Sequence, residues 1–212
     1  MSATMFDTAE LSAATDGFSE DWLLGGGSGG SQVFGAVVEG RAVAVKRLPV
    51  SAARAVTSDA LLAALAAAGR VRHENLLPLV GVAVGDAAAN EPPCVVTPLT
   101  RGGSLAERLA GAGGKDPALT ALQRVGCALG CARGLAALHA AGLAHRRVKS
   151  ANVLLDDASL ALSEAAKLAD AGMPAPLCAP EDPATDGYLD PEWARKARNG
   201  VLIGPRARRA VA

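Results

Sequence analysis

The sequence predicts an α+β fold, with strands gathered in its first hundred residues and helix dominating afterwards. Three observations carry that expectation. A glycine-rich run, Gly25-Gly26-Gly27-Ser28-Gly29-Gly30-Ser31, is followed by Val33-Phe34 and Ala42-Val43-Ala44-Val45 on either side of Glu39-Gly40, the pattern of a β-hairpin. Short apolar runs recur at 76–80 (Leu-Leu-Pro-Leu-Val) and at Cys94-Val95-Val96 and read as further strands. From about Leu119 to Ala141 the chain reads as one long helix, preceded by a loop from Gly111 to Asp116.

The remaining elements follow in order. Phe6, Leu11, Ala14 and Phe18 recur at roughly helical spacing and Thr15-Asp16-Gly17 supplies a stop, so the chain opens with a short amphipathic lead-in. The Ala/Leu-rich run from Asp59 to Ala68 favours a helix ending near Gly69. A second hairpin is expected near Val153-Leu154-Leu155 and Lys167-Leu168-Ala169, and residues 171–187, rich in Pro, Ala and Asp, read as a loop.

Composition narrows the classes of function. Half of the 212 residues are apolar, but there are only three Phe, two Trp and one Tyr, so the core must be built from small side chains and modest stability is expected. With 21 basic and 21 acidic residues and no long block of one sign, the chain lacks the footprint of a nucleic-acid partner or an anionic membrane surface. Cys94, Cys127, Cys131 and Cys178 have neither disulfide-scaffold nor zinc-knuckle spacing, so reduced, buried thiols are expected. The opening Met1-Ser2-Ala3-Thr4 has no basic segment leading into an apolar run, and no apolar stretch reaches membrane length. The expectation is a soluble cytoplasmic chain without a membrane span.

The glycines point to phosphate, and their context selects the design. A dinucleotide fold needs a helix directly after its glycines, and a P-loop needs Lys-Ser/Thr after the last one. Here a hairpin follows, with Lys46 at the end of its second strand.

That arrangement resembles the protein kinases, and further motifs extend the resemblance to the receptor-like-kinase/Pelle branch of Ser/Thr kinases. In order they are Phe6-x-x-x-Glu10-Leu11-x-x-Ala14-Thr15-x-x-Phe18, Val43-Ala44-Val45-Lys46, Arg72-His73-Glu74-Asn75-Leu76 and Gly103-Ser104-Leu105. Next come Gly134-Leu135-Ala136-Ala137-Leu138-His139, His145-Arg146-Arg147-Val148-Lys149-Ser150-Ala151-Asn152 and Gly187-Tyr188-Leu189-Asp190-Pro191-Glu192. The resemblance implies a β-rich first lobe with one main helix over 21–99, after a lead-in at 1–20. It also implies a partial helical second lobe over 100–193, and the remaining 194–212, which has no apolar periodicity, reads as a disordered tail or an aberrant terminus.

It further implies ATP and Mg2+ as cofactors. ATP would lie against Gly25, Gly27, Gly30, Val33, Ala44, Lys46, Thr97 and Leu99, with Asn152 and Asp170 holding the metal and Lys149 on the phosphate side. The glycine loop also admits a register starting at Gly26, which places Ser28 and Ser31 where glycines are usual. Thr185, Gly187 and Tyr188 resemble the segment that receives a peptide substrate.

Three positions depart from the pattern. Arg147 stands where the family has its catalytic aspartate, and a guanidinium stays protonated and cannot accept a proton. Loss of a general base lowers such a rate by about a hundred- to ten-thousand-fold. Ala64 stands where the helix glutamate that pairs with the lysine is expected, leaving only Asp59 nearby, and Ala171 replaces the aromatic of Asp170-Ala171-Gly172.

The expected function is therefore an ATP-binding, kinase-like signalling or scaffold module with impaired phosphotransfer that acts by binding other proteins. The alternatives are an active Ser/Thr protein kinase and, given the arginine-rich end and the missing distal helices, a truncated gene product.

Overall fold

The computed structural model describes residues 3–26, 30–86, 88–111, 119–156, 165–174, 186–188, 191 and 195. The expected tail at 194–212 lies outside the described residues apart from Arg195, as do Gly27 and most of the expected 171–187 loop.

Six strands form the larger sheet: β1 (Thr4–Met5), β2 (Leu23–Gly26), β3 (Gln32–Val38), β4 (Arg41–Arg47), β5 (Gly81–Ala83) and β6 (Cys94–Pro98). Their spatial order is β1-β5-β6-β4-β3-β2, with only the β1/β5 pair parallel. The β3/β4 hairpin closes as expected on Glu39 and Gly40, whose φ values of 50° and 73° are those of the tight two-residue turn that matches strand twist.

Strand alternation sorts β4 into two faces. Val43 and Val45 join Ala36, Val38 and Val96 in a core that also buries Phe6 and Leu11. Leu11 belongs to helix α1 (Thr8–Ala14), which Asp7 caps by accepting from the Ala9 amide at 2.9 Å. The expected lead-in thus forms as a helix and packs into the sheet. Ala44 and Lys46, with the opposite parity, project from the other face.

That second face is covered by α2 (Val50–Ala55) and α3 (Ser58–Gly69), which bury Ala52, Val56, Leu61 and Leu65 against Val82 and Val95. The helix expected from Asp59 is α3, started by Thr57, whose Oγ1 accepts from the Ala60 amide at 3.3 Å.

The strand expected at 76–80 does not form. Leu76 makes one isolated bridge to Leu168, and Pro78 has no amide with which to continue a ladder, so pairing resumes only at β5. The segment is instead attached to the second lobe. The Leu168 amide donates to the Asn75 carbonyl at 2.8 Å, Asn75 Nδ2 donates to the Ala166 carbonyl at 2.8 Å, and the Leu77 amide donates to the Leu168 carbonyl at 2.9 Å.

The chain crosses between lobes a second time at 99–102. The Leu99 amide still donates to Ala42 of β4 at 3.3 Å, whereas the Gly102 amide donates to Leu155 at 2.8 Å. The second lobe consists of α4 (Leu105–Ala110), α5 (Ala121–Ala140) and the hairpin β7 (Val153–Leu155) with β8 (Ala166–Leu168). Capping boxes at Ser104/Glu107 and Thr120/Gln123 start the two helices. Along α5, Cys127, Gly130, Gly134 and Leu138 form the buried stripe, Cys127 and Leu138 entering a core with Leu76, Val153, Leu155 and Leu168. The other side of α5 exposes Leu122, Val125 and Leu129. Among the described residues no helix is long and apolar enough to cross a membrane.

Candidate functional site

A cavity of about 270 Å³ lies between the larger sheet and the β7/β8 hairpin. Val33 and Ala44 line it from the sheet, Asn152, Leu154 and Asp170 from the hairpin side, and Met173 from the side of α3. Lys46 reaches it because it lies one residue beyond Val45: the same register that buries Val45 turns Lys46 inward, beside its cross-strand neighbours Val33 and Val95. Ala44 pairs with Thr97 in the next row.

Lys46 Nζ donates to both carboxylate oxygens of Asp170, at 2.7 Å to Oδ1 and 2.5 Å to Oδ2. Asp170 has φ 65°, a left-handed conformation uncommon for a residue with a side chain and concentrated at functional sites. The Ala169 amide donates to the Asn152 carbonyl at 2.8 Å and so fixes this turn against the preceding loop.

The loop from His145 to Asn152 is held by its own hydrogen bonds. The Arg147 amide donates to His145 Nδ1 at 3.2 Å, and Asn152 Nδ2 donates to the Arg147 carbonyl at 2.7 Å. Arg146 has φ 68°, a second left-handed residue in the same site. Arg147 is buried, 5% exposed, and its Nη1 lies 3.4 Å from Asp170 Oδ2. Asp170 therefore faces two cations.

Burial alone would raise the Asp170 carboxyl, but Lys46 and then Arg147 outweigh it and hold the group below its ordinary value of 3.8. Burial lowers His145 below 6.5, outweighing the opposing pull of Asp170. A neutral imidazole is also what its acceptance at Nδ1 requires. Burial pushes the thiol of Cys94 up to about 12 and that of Cys131 to about 11, so neither is a nucleophile; Cys178 lies outside the described residues.

The residues at the departures from the pattern explain much of this arrangement. Asp59 is exposed in the first turn of α3 and does not replace the expected glutamate; the partner of Lys46 is Asp170. Without a long side chain at Ala64, α3 lies directly on the 170–172 turn. A Cβ on Gly172, at φ 82°, would stand 3.0 Å from the Ala64 carbonyl oxygen and overlap the Ala68 methyl. Ala171 packs half-buried against the second-lobe core, and Met173 is buried among Leu61, Leu65 and Val95. The two residues therefore pack into different cores, Ala171 into that of the second lobe and Met173 into that beneath α3.

Of the expected site residues, Val33, Ala44, Lys46, Thr97, Lys149, Asn152 and Asp170 line the cavity together. Gly25 sits on β2 opposite Val33 and does not line it; Gly26 does, as in the alternative register. Gly30 and Leu99 are also absent from the wall, and Gly27 lies outside the described residues. Arg147 is beneath the cavity, in contact with Asp170. Leu154 and Met173 are wall residues the sequence reading missed. Leu154 was detectable as the middle residue of a three-residue strand, facing away from the core that takes Val153 and Leu155, whereas nothing in the sequence marks Met173. In the expected substrate segment, the hydroxyls of Tyr188 and Ser150 share a hydrogen bond at 2.8 Å, while Thr185 lies outside the described residues.

Residues 21–194 match the family model described as protein tyrosine and serine/threonine kinase. The chain belongs to the protein kinase family. It is 34% identical over 200 residues to the leaf rust 10 disease-resistance locus receptor-like protein kinase-like 1.1 of Arabidopsis thaliana, covering 90% of this chain and 30% of that protein. It is 38% identical over 186 residues to the nodulation receptor kinase of Pisum sativum, covering 81% of this chain and 18% of the relative. It is also 38% identical over 163 residues to the serine/threonine-protein kinase pelle of Drosophila melanogaster, covering 71% and 31%. This is a kinase domain of the receptor-like-kinase/Pelle type, with the expected α+β architecture, and it spans less than a third of the length of these relatives. Kinases of this family generally use ATP and Mg2+ and act on proteins.

Proposed function

We propose that this kinase domain binds a nucleotide in the cavity beneath Val33 and Ala44, that its phosphotransfer is impaired, and that it acts in signalling by engaging other proteins. The observation that carries the reading is Arg147. It occupies the base position, is buried, and contacts Asp170 with its guanidinium instead of offering a proton acceptor to a substrate hydroxyl.

The cavity suits the nucleotide. Val33, Ala44 and Leu154 offer apolar surface on two sides of a slot, and Lys46 and Lys149 supply donors at its polar end. It does not suit the metal. Asp170 is held by two cations, and Asn152, whose amide nitrogen is bonded to the Arg147 carbonyl, offers only a neutral oxygen. Among the described residues no group of three His, Cys, Asp or Glu could hold a metal ion.

An active Ser/Thr kinase is the second reading, supported by Lys46, Lys149, Asn152 and Asp170 lining one cavity. Phosphate transfer from ATP to a generic protein substrate separates the two. The unaltered chain is expected at background and Arg147→Asp above it. Activity of the unaltered chain that Lys46→Ala abolishes would refute impairment, and a thermal midpoint indifferent to saturating ATP would refute nucleotide binding.

A further inference from the structure

We propose that the site takes the phosphate chain of a nucleotide without a divalent cation, Arg147 providing beside Asp170 the positive charge that a metal ion would bring. This rests on the nucleotide-binding reading above and specifies the ligand form the site selects.

Three features of the cavity support it. The first is the occupancy of Asp170. Both of its oxygens accept from Lys46 Nζ, and Arg147 Nη1 stands 3.4 Å from Oδ2. Mg2+ requires oxygen ligands at about 2.0–2.1 Å in near-octahedral array. To reach Asp170 it must displace an ammonium and then sit beside a guanidinium that never deprotonates.

The second is the balance of charge. Among the described residues, Lys46, Lys149 and Asp170 are the charged groups lining the cavity, and Arg147 touches Asp170 from below. Lys46 and Lys149 on the wall, with Arg147 below, suit a polyanion and disfavour a further dication beside Asp170. The cations are also placed by rigid elements. Lys46 is carried by a strand paired on both sides, and the Arg147 backbone is bonded on one side to His145 and on the other to Asn152.

The third is the weakness of the remaining donor set. Asn152 is neutral, its amide nitrogen is engaged, and the helix carboxylate that would leave Asp170 free of Lys46 is replaced by Ala64, which has no polar atom in its side chain. No described residue releases Asp170 from Lys46.

Isothermal titration of the whole chain with ATP, once in excess EDTA and once in excess MgCl2, tests the inference. The affinity in EDTA should equal or exceed that in magnesium. Arg147→Gln should weaken the EDTA affinity by about tenfold or more, through loss of the positive charge beside Asp170 beneath the phosphate site, while affecting the magnesium value less. Binding that appears only with magnesium overturns the inference and leaves nucleotide binding standing. Binding in neither buffer overturns both. An EDTA affinity untouched by Arg147→Gln also overturns it, and the unaltered chain decides the metal question even if the variant does not fold.

Discussion

Lys46 and Asp170, 124 residues apart, are joined by an ammonium that donates to both carboxylate oxygens, and this pair closes the cavity floor across the two lobes. Asp170→Asn removes the carboxylate that lies between Lys46 and Arg147. It should lower stability by about 3 kcal/mol, read from the urea midpoint at constant m. Lys46→Met combined with Asp170→Asn should lose clearly less than the sum of the two single changes. Additive losses would mean the pair is not coupled.

Met173 is buried among the side chains of α3 and strands β5 and β6. Met173→Ala should lower stability by about 2–5 kcal/mol, whereas Met173→Leu, which keeps the volume, should lose less than about 1.5 kcal/mol. Equal effects of the two would show that the volume of the side chain is not what holds it among Leu61, Leu65 and Val95.

Gly134 sets two effects against each other. Alanine in a helix interior gains about 0.8–1 kcal/mol over glycine, yet a Cβ here would stand 2.7 Å from the Asn75 carbonyl oxygen and 3.2 Å from Leu76. The obstacle is backbone held by hydrogen bonds to β8, so the clash should win, with a net loss of about 1–2 kcal/mol. A stabilised Gly134→Ala protein would contradict the close approach of α5 to this segment.

His145 predicts a pH dependence with a definite sign. Its folded-state value lies below 6.5, so as pH falls through 6.5 the unfolded chain takes up a proton the folded chain refuses. Stability is full above 6.5 and declines below it until the folded-state value is reached, by about 1.4 kcal/mol for each unit of depression. Asp170 adds a separate decline only below its ordinary value of 3.8, where the unfolded carboxyl begins to protonate. Chemical denaturation from neutral to mildly acid pH should show the first decline, and His145→Gln should flatten it.

The sequence disclosed elements whose causes are local. Glu39-Gly40 fixes its hairpin within two residues, the Ala/Leu run of α3 needs no partner to favour helix, and the long unbroken run of α5 reads as helix, although its exposed Leu122, Val125 and Leu129 hide which face is buried. It concealed elements whose causes are distant. The run at 76–80 has strand composition, but Asn75 and Leu77 bond to β8, about ninety residues away in sequence, and Pro78 interrupts the amides. Helix α4 was legible through Ser104-x-x-Glu107 and was missed because six residues are too few to show a period. The site was legible as a set of residues and not as a set of partners. Motif order located Lys46, Asn152 and Asp170, but only the fold shows Lys46 on Asp170, Arg147 beneath it, and Met173 packed where no motif directed attention.

The attachment of Asn75 to β8 has a mechanical consequence. Continuous chain joins the two lobes at 99–102, and the segment 75–77 is bonded to the second lobe immediately before it enters the first. Two backbone attachments restrict how one lobe can turn against the other, as a pair of hinges restricts a door. Opening the cavity would then have to part Lys46 from Asp170 and lift α3 from the 170–172 turn. Ligand entry and exit would be governed by that ion pair, which serves as the latch of the door.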